Sequence, residues 1–166
     1  MAQKEAKKKR STKTGGKIKK TEWEALQEEM SSADDGTIQV VDLTDPSKQD
    51  TGEIDSNYSF SVFYKTPKEH KHYKGALLYG TFTGHIATYE DHMKMGHVRA
   101  QCRAGLPPDS FDEEFNLMVE QKAVFTVLLD SKPEWFDLEN LFDRMVAIEV
   151  YQEVIQREAT FRGGVL

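Results

Sequence analysis

The chain has 166 residues, of which 38% are apolar and 30% are charged, a composition typical of one soluble domain with room for an appendage. No apolar run approaches the ~20 residues that span a bilayer, and the charged N-terminus predicts no secretory signal, so a membrane partner is not expected. Cys102 is the only cysteine, which excludes an intrachain disulfide and favours a reducing compartment.

The net charge of the chain is −6, but its N-terminal arm, residues 1–20, is basic. The arm has nine lysines and arginines and one glutamate, which give it a net charge of +8. So few apolar residues predict that the arm is disordered. Its cations could bind a polyanion such as nucleic acid in a salt-dependent way. A solvated tail and a contact with an acidic protein surface are the alternatives. The candidate polyanion-binding residues are Lys7, Lys8, Lys9, Arg10, Lys13, Lys17, Lys19 and Lys20.

Residues 21–56 are predicted to form a short helix and an acidic linker. Trp23, Leu26 and Met30 follow the helical period and give the helix a narrow apolar stripe. The segment carries eleven acidic residues against one lysine, or −10. Within it, residues 38–43 could form one short strand that ends at a turn.

Residues 57–166 are predicted to form one domain that begins with a β-hairpin or a small sheet of two to three strands. One face of the first strand is predicted to be apolar and the other polar, as in a strand with one buried face. The apolar face comprises Tyr58, Phe60, Val62 and Tyr64, and the polar face comprises Ser59, Ser61 and Lys65. A second strand candidate spans residues 76–86. It contains Gly80 and Gly84, which suggest a bulge or the close approach of another backbone.

Three helices are predicted after the strands. Thr88 and Asp91 form a capping box that opens the first helix. The second helix, about 111–129, has a wide apolar face that predicts deep burial. The third begins at an Asp137 cap and ends at residues 163–164. Its predicted apolar stripe comprises Leu138, Leu141, Met145, Ile148, Val154 and Ile155.

These elements predict an α+β fold, made of a C-terminal helical bundle of about three helices, a small antiparallel β-hairpin region and a disordered basic N-terminal arm. The predicted domains are the arm at 1–20, the short helix and acidic linker at 21–56, and the β-hairpin with the helices at 57–166.

An aromatic corner, Pro133–Phe136, is predicted to lie directly between the last two helices. Each aromatic side chain can bury on the order of 150–250 Å². Trp135 and Phe136 are therefore predicted to lock an antiparallel helix pair as core residues, and a partner-binding role is the alternative. Phe161, near the end of the last helix, belongs to the same set of candidate core or partner-binding residues.

No grouping of residues in the sequence predicts a reaction centre, a cofactor site or a metal site. His70 and His72 would lie on one face of an extended segment and could bind a metal ion there, but the surrounding lysines favour an exposed loop. His92, His97 and Cys102 are spaced by five residues, which does not place them on one side of a helix. The chain is therefore predicted not to be an enzyme and to need no cofactor.

A series of short motifs covers about half of the chain. It comprises Phe82-Thr83, Gly96-His97-Val98-Arg99-Ala100, Gly105-Leu106-Pro107-Pro108, an apolar helix through Ala123 and Leu128, Pro133-Glu134-Trp135-Phe136, Tyr151, and Phe161-Arg162-Gly163. This series resembles the tail assembly chaperones of long-tailed bacteriophages. The resemblance implies a small helical protein without a reaction of its own. Such proteins bind the long, helix-rich tape measure protein and keep it soluble while tail tube subunits polymerise around it.

The functional prediction is a non-catalytic bacteriophage morphogenesis protein, namely a tail assembly chaperone that binds the tape measure protein in the host cytoplasm. The N-terminal part of the chain has no counterpart in the motif series, so two alternatives stay open. One is a structural virion subunit of the neck, tail or capsid, with the arm as a tether. The other is a nucleic-acid-binding accessory protein that uses the arm. A homo-oligomer is compatible with each.

Overall fold

The fold is a mixed one in which helices and a central sheet alternate along the chain. The computed structural model describes residues 20–43, 56–69, 73–141 and 143–162. Within these ranges the chain forms four α-helices, four strands and one short 3₁₀ turn. In chain order they are α1 (Lys20–Ser31), β1 (Ile38–Asp42), β2 (Asn57–Lys65), β3 (Leu77–His85), α2 (Tyr89–Cys102), the 3₁₀ turn (Pro108–Ser110), α3 (Glu113–Leu128), β4 (Leu129–Ser131) and α4 (Arg144–Phe161).

The four strands form one antiparallel sheet in the order β1-β2-β3-β4. In the first pair, Ile38 of β1 lies opposite Tyr64 of β2. In the last pair, Thr83 of β3 lies opposite Ser131 of β4, and the register shifts between Thr83 and Gly84. The predicted bulge is therefore confirmed at Gly84.

The prediction of a C-terminal bundle of about three helices beside a small β-hairpin region was wrong. The sheet has four strands and is central in the sequence. The segment 38–42 pairs with β2 instead of standing alone in a linker. The helix predicted to run to residue 129 ends at Leu128, because the backbone becomes extended at Leu129 and pairs with β3.

The described residues divide into two compact units that interleave along the chain. The described part of the first unit comprises 20–43, most of β2 and β3, and 132–136; that of the second comprises 56–58, 83–131 and 137–162. The basic arm lies outside the described residues except for Lys20, the first residue of α1.

In the first unit, α1 covers one face of the sheet. Met30 is buried together with Val41 of β1 and Phe63 of β2, and Trp23 and Leu26 pack against this cluster. The ring centroids of Trp23 and Phe63 are 4.9 Å apart. The predicted stripe of α1 is thus confirmed. Phe63 falls on the side of β2 that the alternating pattern assigned to polar residues, so β2 is buried on both faces.

In the second unit, α3 packs against both α2 and α4. Its buried apolar residues are Val119, Ala123, Val124, Phe125 and Leu128. The deep burial expected for this helix is therefore present in its C-terminal half. Asp112 caps the helix, with its side chain accepting from the Phe115 amide at 2.7 Å, and Ser110 ends the 3₁₀ turn.

Helix α4 begins six residues later than the sequence predicted, because its N-cap is Asp143 and not Asp137. Asp143 caps it, with the side chain accepting from the Met145 amide at 2.9 Å. Asp137, the predicted cap, instead accepts from the Glu139 amide in a separate turn. The buried apolar residues of α4 are Val146, Ala147, Val150 and Val154. Of the predicted stripe only Val154 is among them, and Met145 is 50% exposed.

Candidate protein-binding surface

Among the described residues of the second unit, the two most exposed large apolar side chains lie on α2. Tyr89 is 83% exposed and Met93 is 64% exposed. With Gly96 and Ala100 they fall at i, i+4, i+7 and i+11, so the four residues form one line along the helix, here called the α2 outer line. The buried Met95 lies on the opposite side of α2.

The α2 outer line is bulky at one end and small at the other. A Cβ atom added to Gly96 would meet no heavy atom within 4 Å, and Ala100 is exposed. A second helix laid along this line could therefore place large apolar side chains over Gly96 and Ala100. Spacings of four, three and four residues are those of a helix that packs against another helix.

A capping box fixes the start of α2. The Thr88 hydroxyl accepts from the Asp91 amide, and one Asp91 carboxylate oxygen accepts from the Thr88 amide at 3.0 Å and from its hydroxyl at 2.6 Å. The box predicted from the sequence is confirmed. These hydrogen bonds hold the pKa of Asp91 well below its ordinary value, and the bond with the Thr88 hydroxyl has the largest effect.

Replacing Asp91 with asparagine should lower the free energy of unfolding at pH 7 by about 0.5–2 kcal/mol, the usual range for a lost cap. The pKa of Asp91 is lower in the folded chain than in the unfolded chain, so its ionised form stabilises the fold above about pH 4. That contribution is lost as the pH falls through the pKa of the folded state. Urea unfolding of both proteins at several pH values should show their difference shrinking below about pH 4.

The neighbouring Glu90 is the matched control for this prediction. Its side chain is 78% exposed and pairs with Lys94 on the surface. Glu90→Gln should therefore change the free energy of unfolding by less than about 0.5 kcal/mol. A stability difference between the parent and Asp91→Asn that is the same at pH 7 and pH 3 would contradict the role given to the ionised carboxylate.

An ionic network anchors α2 on α3. The Glu120 carboxylate accepts from Arg99 Nε at 2.7 Å and from Arg103 Nη2 at 3.4 Å. Arg103 Nε also donates to Asn116 Oδ1 at 3.1 Å. Arg103 is buried, where a planar guanidinium with several partners fixes the geometry better than a lone ion pair would. The network therefore holds the outer line of α2 on a rigid support.

The turn after α2 carries the Gly105-Leu106-Pro107-Pro108 motif. Gly105 has a φ of 77°, a conformation that glycine adopts without strain. The Asn116 side chain donates to the Pro108 carbonyl at 3.0 Å, which ties the turn to α3. Leu106 is 55% exposed and extends the exposed apolar surface of the second unit beyond the helix.

The aromatic corner does not lie between two helices as predicted, because Pro133–Phe136 directly follows strand β4 and α4 begins only at Arg144. Phe136 is fully buried, and its ring is edge-on to Phe82 with the centroids 5.0 Å apart. Trp135 is half-buried and donates from Nε1 to the Tyr79 carbonyl at 2.9 Å. The structure thus places both rings in the first unit against the sheet.

Phe161, the third candidate aromatic, belongs to the second unit and is 40% exposed at the last turn of α4. Of the candidate polyanion-binding residues, only Lys20 falls within the described residues, as part of α1. The other seven basic residues, which all precede it, lie outside the described part of the chain.

The described histidines contact other side chains of the fold. His85 Nδ1 lies 2.9 Å from Asp130 and its Nε2 lies 3.4 Å from Asp91. His92 Nε2 lies 3.0 Å from an Arg162 nitrogen. Across the described residues, no three histidine, cysteine or acidic side chains are grouped so that they could hold a metal ion. His70 and His72 lie outside the described ranges.

Tyr89 and Met93 were not among the binding residues predicted from the sequence. The signal that could have found them is a second apolar spacing in the same helix. Met95, Val98 and Cys102 follow one helical line, and Tyr89 and Met93 follow another. One apolar line is enough to pack a surface helix on its own domain, so a second line indicates a contact with a partner.

None of the helices in the described ranges is long and apolar enough to cross a membrane. Comparisons with protein-family models, with curated proteins and with solved structures found no match to this chain.

Proposed function

We propose that this chain is a non-catalytic bacteriophage morphogenesis protein, a tail assembly chaperone that binds the tape measure protein in the host cytoplasm during tail formation. The identification of the partner rests on the motif series of the sequence. The observation that supports a binding role is the exposed α2 outer line, which lies on the helix that carries one of those motifs, the run 96–100.

The partner segment that suits this line is an amphipathic helix. Apolar residues spaced by three and four positions would pack along the line, with large side chains over Gly96 and smaller ones against Tyr89 and Met93. A long protein built of such helices exposes apolar surface that aggregates before assembly. A chaperone that catalyses no reaction must cover that apolar surface, and α2, which is held on α3, offers a helix that can do so.

Co-expression with the tape measure protein tests the proposal. The parent chain should co-purify with the tape measure protein and raise its soluble fraction. Met93→Glu places a charge at the centre of the line and should reduce co-purification at least about tenfold, since an unpaired charge at a desolvated helix contact costs more than about 1.4 kcal/mol. Its thermal melt should match that of the parent, because Met93 is 64% exposed.

Met118→Glu is the matched control. It makes the same change at another exposed methionine of the same unit, on α3, where the side chain is 45% exposed. This variant should bind like the parent. If the parent fails to co-purify and gives no gain in solubility, the chaperone proposal is wrong. Stoichiometric copies of the chain in purified particles, measured by mass spectrometry, would instead assign it to the structural virion subunits.

A further inference from the structure

Helix α4 is apolar on two opposite sides. Val146, Val150 and Val154 are 0% exposed and form its inner side. A second line, called the α4 outer line, comprises Met145, Ile148, Gln152, Ile155 and Ala159, spaced by three, four, three and four residues. At 3.6 residues per turn the two lines lie roughly 180° apart around the helix axis.

The chain itself covers the outer line only in part. Met145 is 50% exposed and Ile155 is 36% exposed, whereas Ile148 and Ala159 are half-buried. A surface helix of a single domain normally has one apolar side, which faces the core. The strict three-and-four spacing is that of a seam between two packed helices. The α4 outer line therefore has the pattern of a helix contact that is completed by another chain.

The order of residues along the α4 outer line suits pairing with the same line of a second copy of the chain. In an antiparallel pair of α4 helices centred on Gln152, Met145 lies opposite Ala159 of the second copy, and Ile148 lies opposite Ile155 of the second copy. Gln152 then meets Gln152 of the second copy, and two amides can donate to and accept from each other. Met145 thus faces a small residue, the isoleucines face each other, and Gln152 faces its own copy.

We infer that α4 pairs with α4 of a second copy of this chain in an antiparallel, two-fold symmetric contact along the α4 outer line. Such a contact is isologous, so every residue-to-residue contact occurs twice. The flanking acidic residues do not oppose it, because Glu149 lies beside the neutral Gln156 of the second copy, and the two copies of Glu149 are separated by about 9 Å along the helix axis. A polar residue within an apolar seam fixes the register of the pair.

The size of the contact sets its strength. The 18 residues of α4 span ~27 Å, which with a helix about 10–12 Å wide gives on the order of 300 Å² per copy. Stable complexes bury about 800 Å² per partner. The pair is therefore weak and forms as the protein concentration rises. Sedimentation of the full chain should show a monomer at about 5 μM and an increasing dimer fraction above about 50 μM.

Disulfide trapping tests the geometry. In a Cys102→Ser background, Gln152→Cys places a thiol at the two-fold axis, where the two Cα atoms come within the ~7 Å that a disulfide needs. Gln156→Cys is the matched control, since it changes another exposed glutamine of α4 whose two copies lie about 12 Å apart along the axis. We expect rapid covalent dimers for the first variant and at least about tenfold slower dimers for the second. Equal rates would overturn the inference.

Charge exchange tests the antiparallel direction. Ile148→Glu and Ile155→Lys should each weaken the dimer at least about tenfold, or about 1.4 kcal/mol, because each buries a charge against an isoleucine. The double variant places the introduced glutamate of each copy against the introduced lysine of the other and should restore dimerisation. In a parallel pair the double variant would bring like charges together and stay monomeric. Far-UV circular dichroism melts of all three show whether they are folded.

The inference stands apart from the proposed function. Its measurements contain no tape measure protein, and Met93→Glu on α2 should leave the dimer unchanged. Single variants that dimerise like the parent, or a folded double variant that stays monomeric, would overturn the antiparallel pair and leave the chaperone proposal standing. Loss of tape measure binding in Met93→Glu with normal dimerisation would separate the two surfaces in one protein.

Discussion

Replacing Phe136 with alanine should lower the free energy of unfolding by about 3–5 kcal/mol, the range found when a large aromatic residue is removed from a core. The side chain is 0% exposed. Its ring is edge-on to both Phe82 and Trp135, with centroids 5.0 Å and 5.9 Å apart. Truncation would leave a cavity between these rings, and Phe82 is carried by β3, a strand of the sheet.

Phe161→Ala is the control for Phe136→Ala. It removes the same side chain from a site that is 40% exposed, so the expected loss is below about 1.5 kcal/mol. Urea unfolding of both variants measures the comparison. Trp135→Ala should fall between them, because Trp135 is half-buried and loses one hydrogen bond, to the Tyr79 carbonyl. A Phe136→Ala variant that unfolds like the parent would contradict the placement of Phe136 in the core.

The second large effect is expected at Gly84. A Cβ atom at this position would lie well inside van der Waals contact with the Leu128 carbonyl oxygen and 2.7 Å from Cζ of Tyr58. The carbonyl belongs to the end of α3, and Tyr58 is 6% exposed with the Arg157 guanidinium 5.5 Å from its ring centroid. Because both neighbours are held in place, Gly84→Ala should lower the free energy of unfolding by about 1–3 kcal/mol or more.

Gly96→Ala makes the same change where there is open space, so it should raise the stability of the fold, whereas Gly84→Ala should lower it. No heavy atom lies within 4 Å of the added Cβ, and alanine favours the interior of a helix over glycine by roughly 0.5–1 kcal/mol. Thermal melts of the two variants should therefore move in opposite directions. If both variants were more stable than the parent, the close approach of Leu128 and Tyr58 to Gly84 would be refuted.

Burial also acts on the Tyr58 hydroxyl. Desolvation raises the pKa of Tyr58 above its ordinary value, with a further contribution from Glu158. The neutral phenol is therefore the form that the second unit holds. This agrees with a site whose role is packing, in which a tyrosine ring fills the space that the missing side chain of Gly84 leaves.

The two proposed contacts use different helices of the same unit. The α2 outer line is assigned to a helical partner, and the α4 outer line to a second copy of the chain. Both assignments start from the same kind of observation, namely a line of apolar residues at helical spacing on the solvent side of a helix. They differ in symmetry, because the α4 line complements itself and the α2 line, bulky at one end and small at the other, does not.

Local signals determined several parts of this protein from the sequence alone. The capping box of Thr88 and Asp91 depends on residues three positions apart. The stripe of Trp23, Leu26 and Met30 depends on the helical period alone. A glycine within a strand marked the close approach at Gly84. Each of these features leaves a signal in residues that are close together along the chain, although the partners of Gly84 and of the α1 stripe are distant in sequence.

Only the tertiary structure decided where the helices end and which of their sides are buried. The apolar run that ends at Leu129 has the same composition in a helix and in a strand, and its last residues become a strand because β3 offers hydrogen bonds. On α4, valines and isoleucines occupy opposite sides, so periodicity assigns neither side to the core. The tertiary structure buries the valines completely and leaves Met145 and Ile155 exposed.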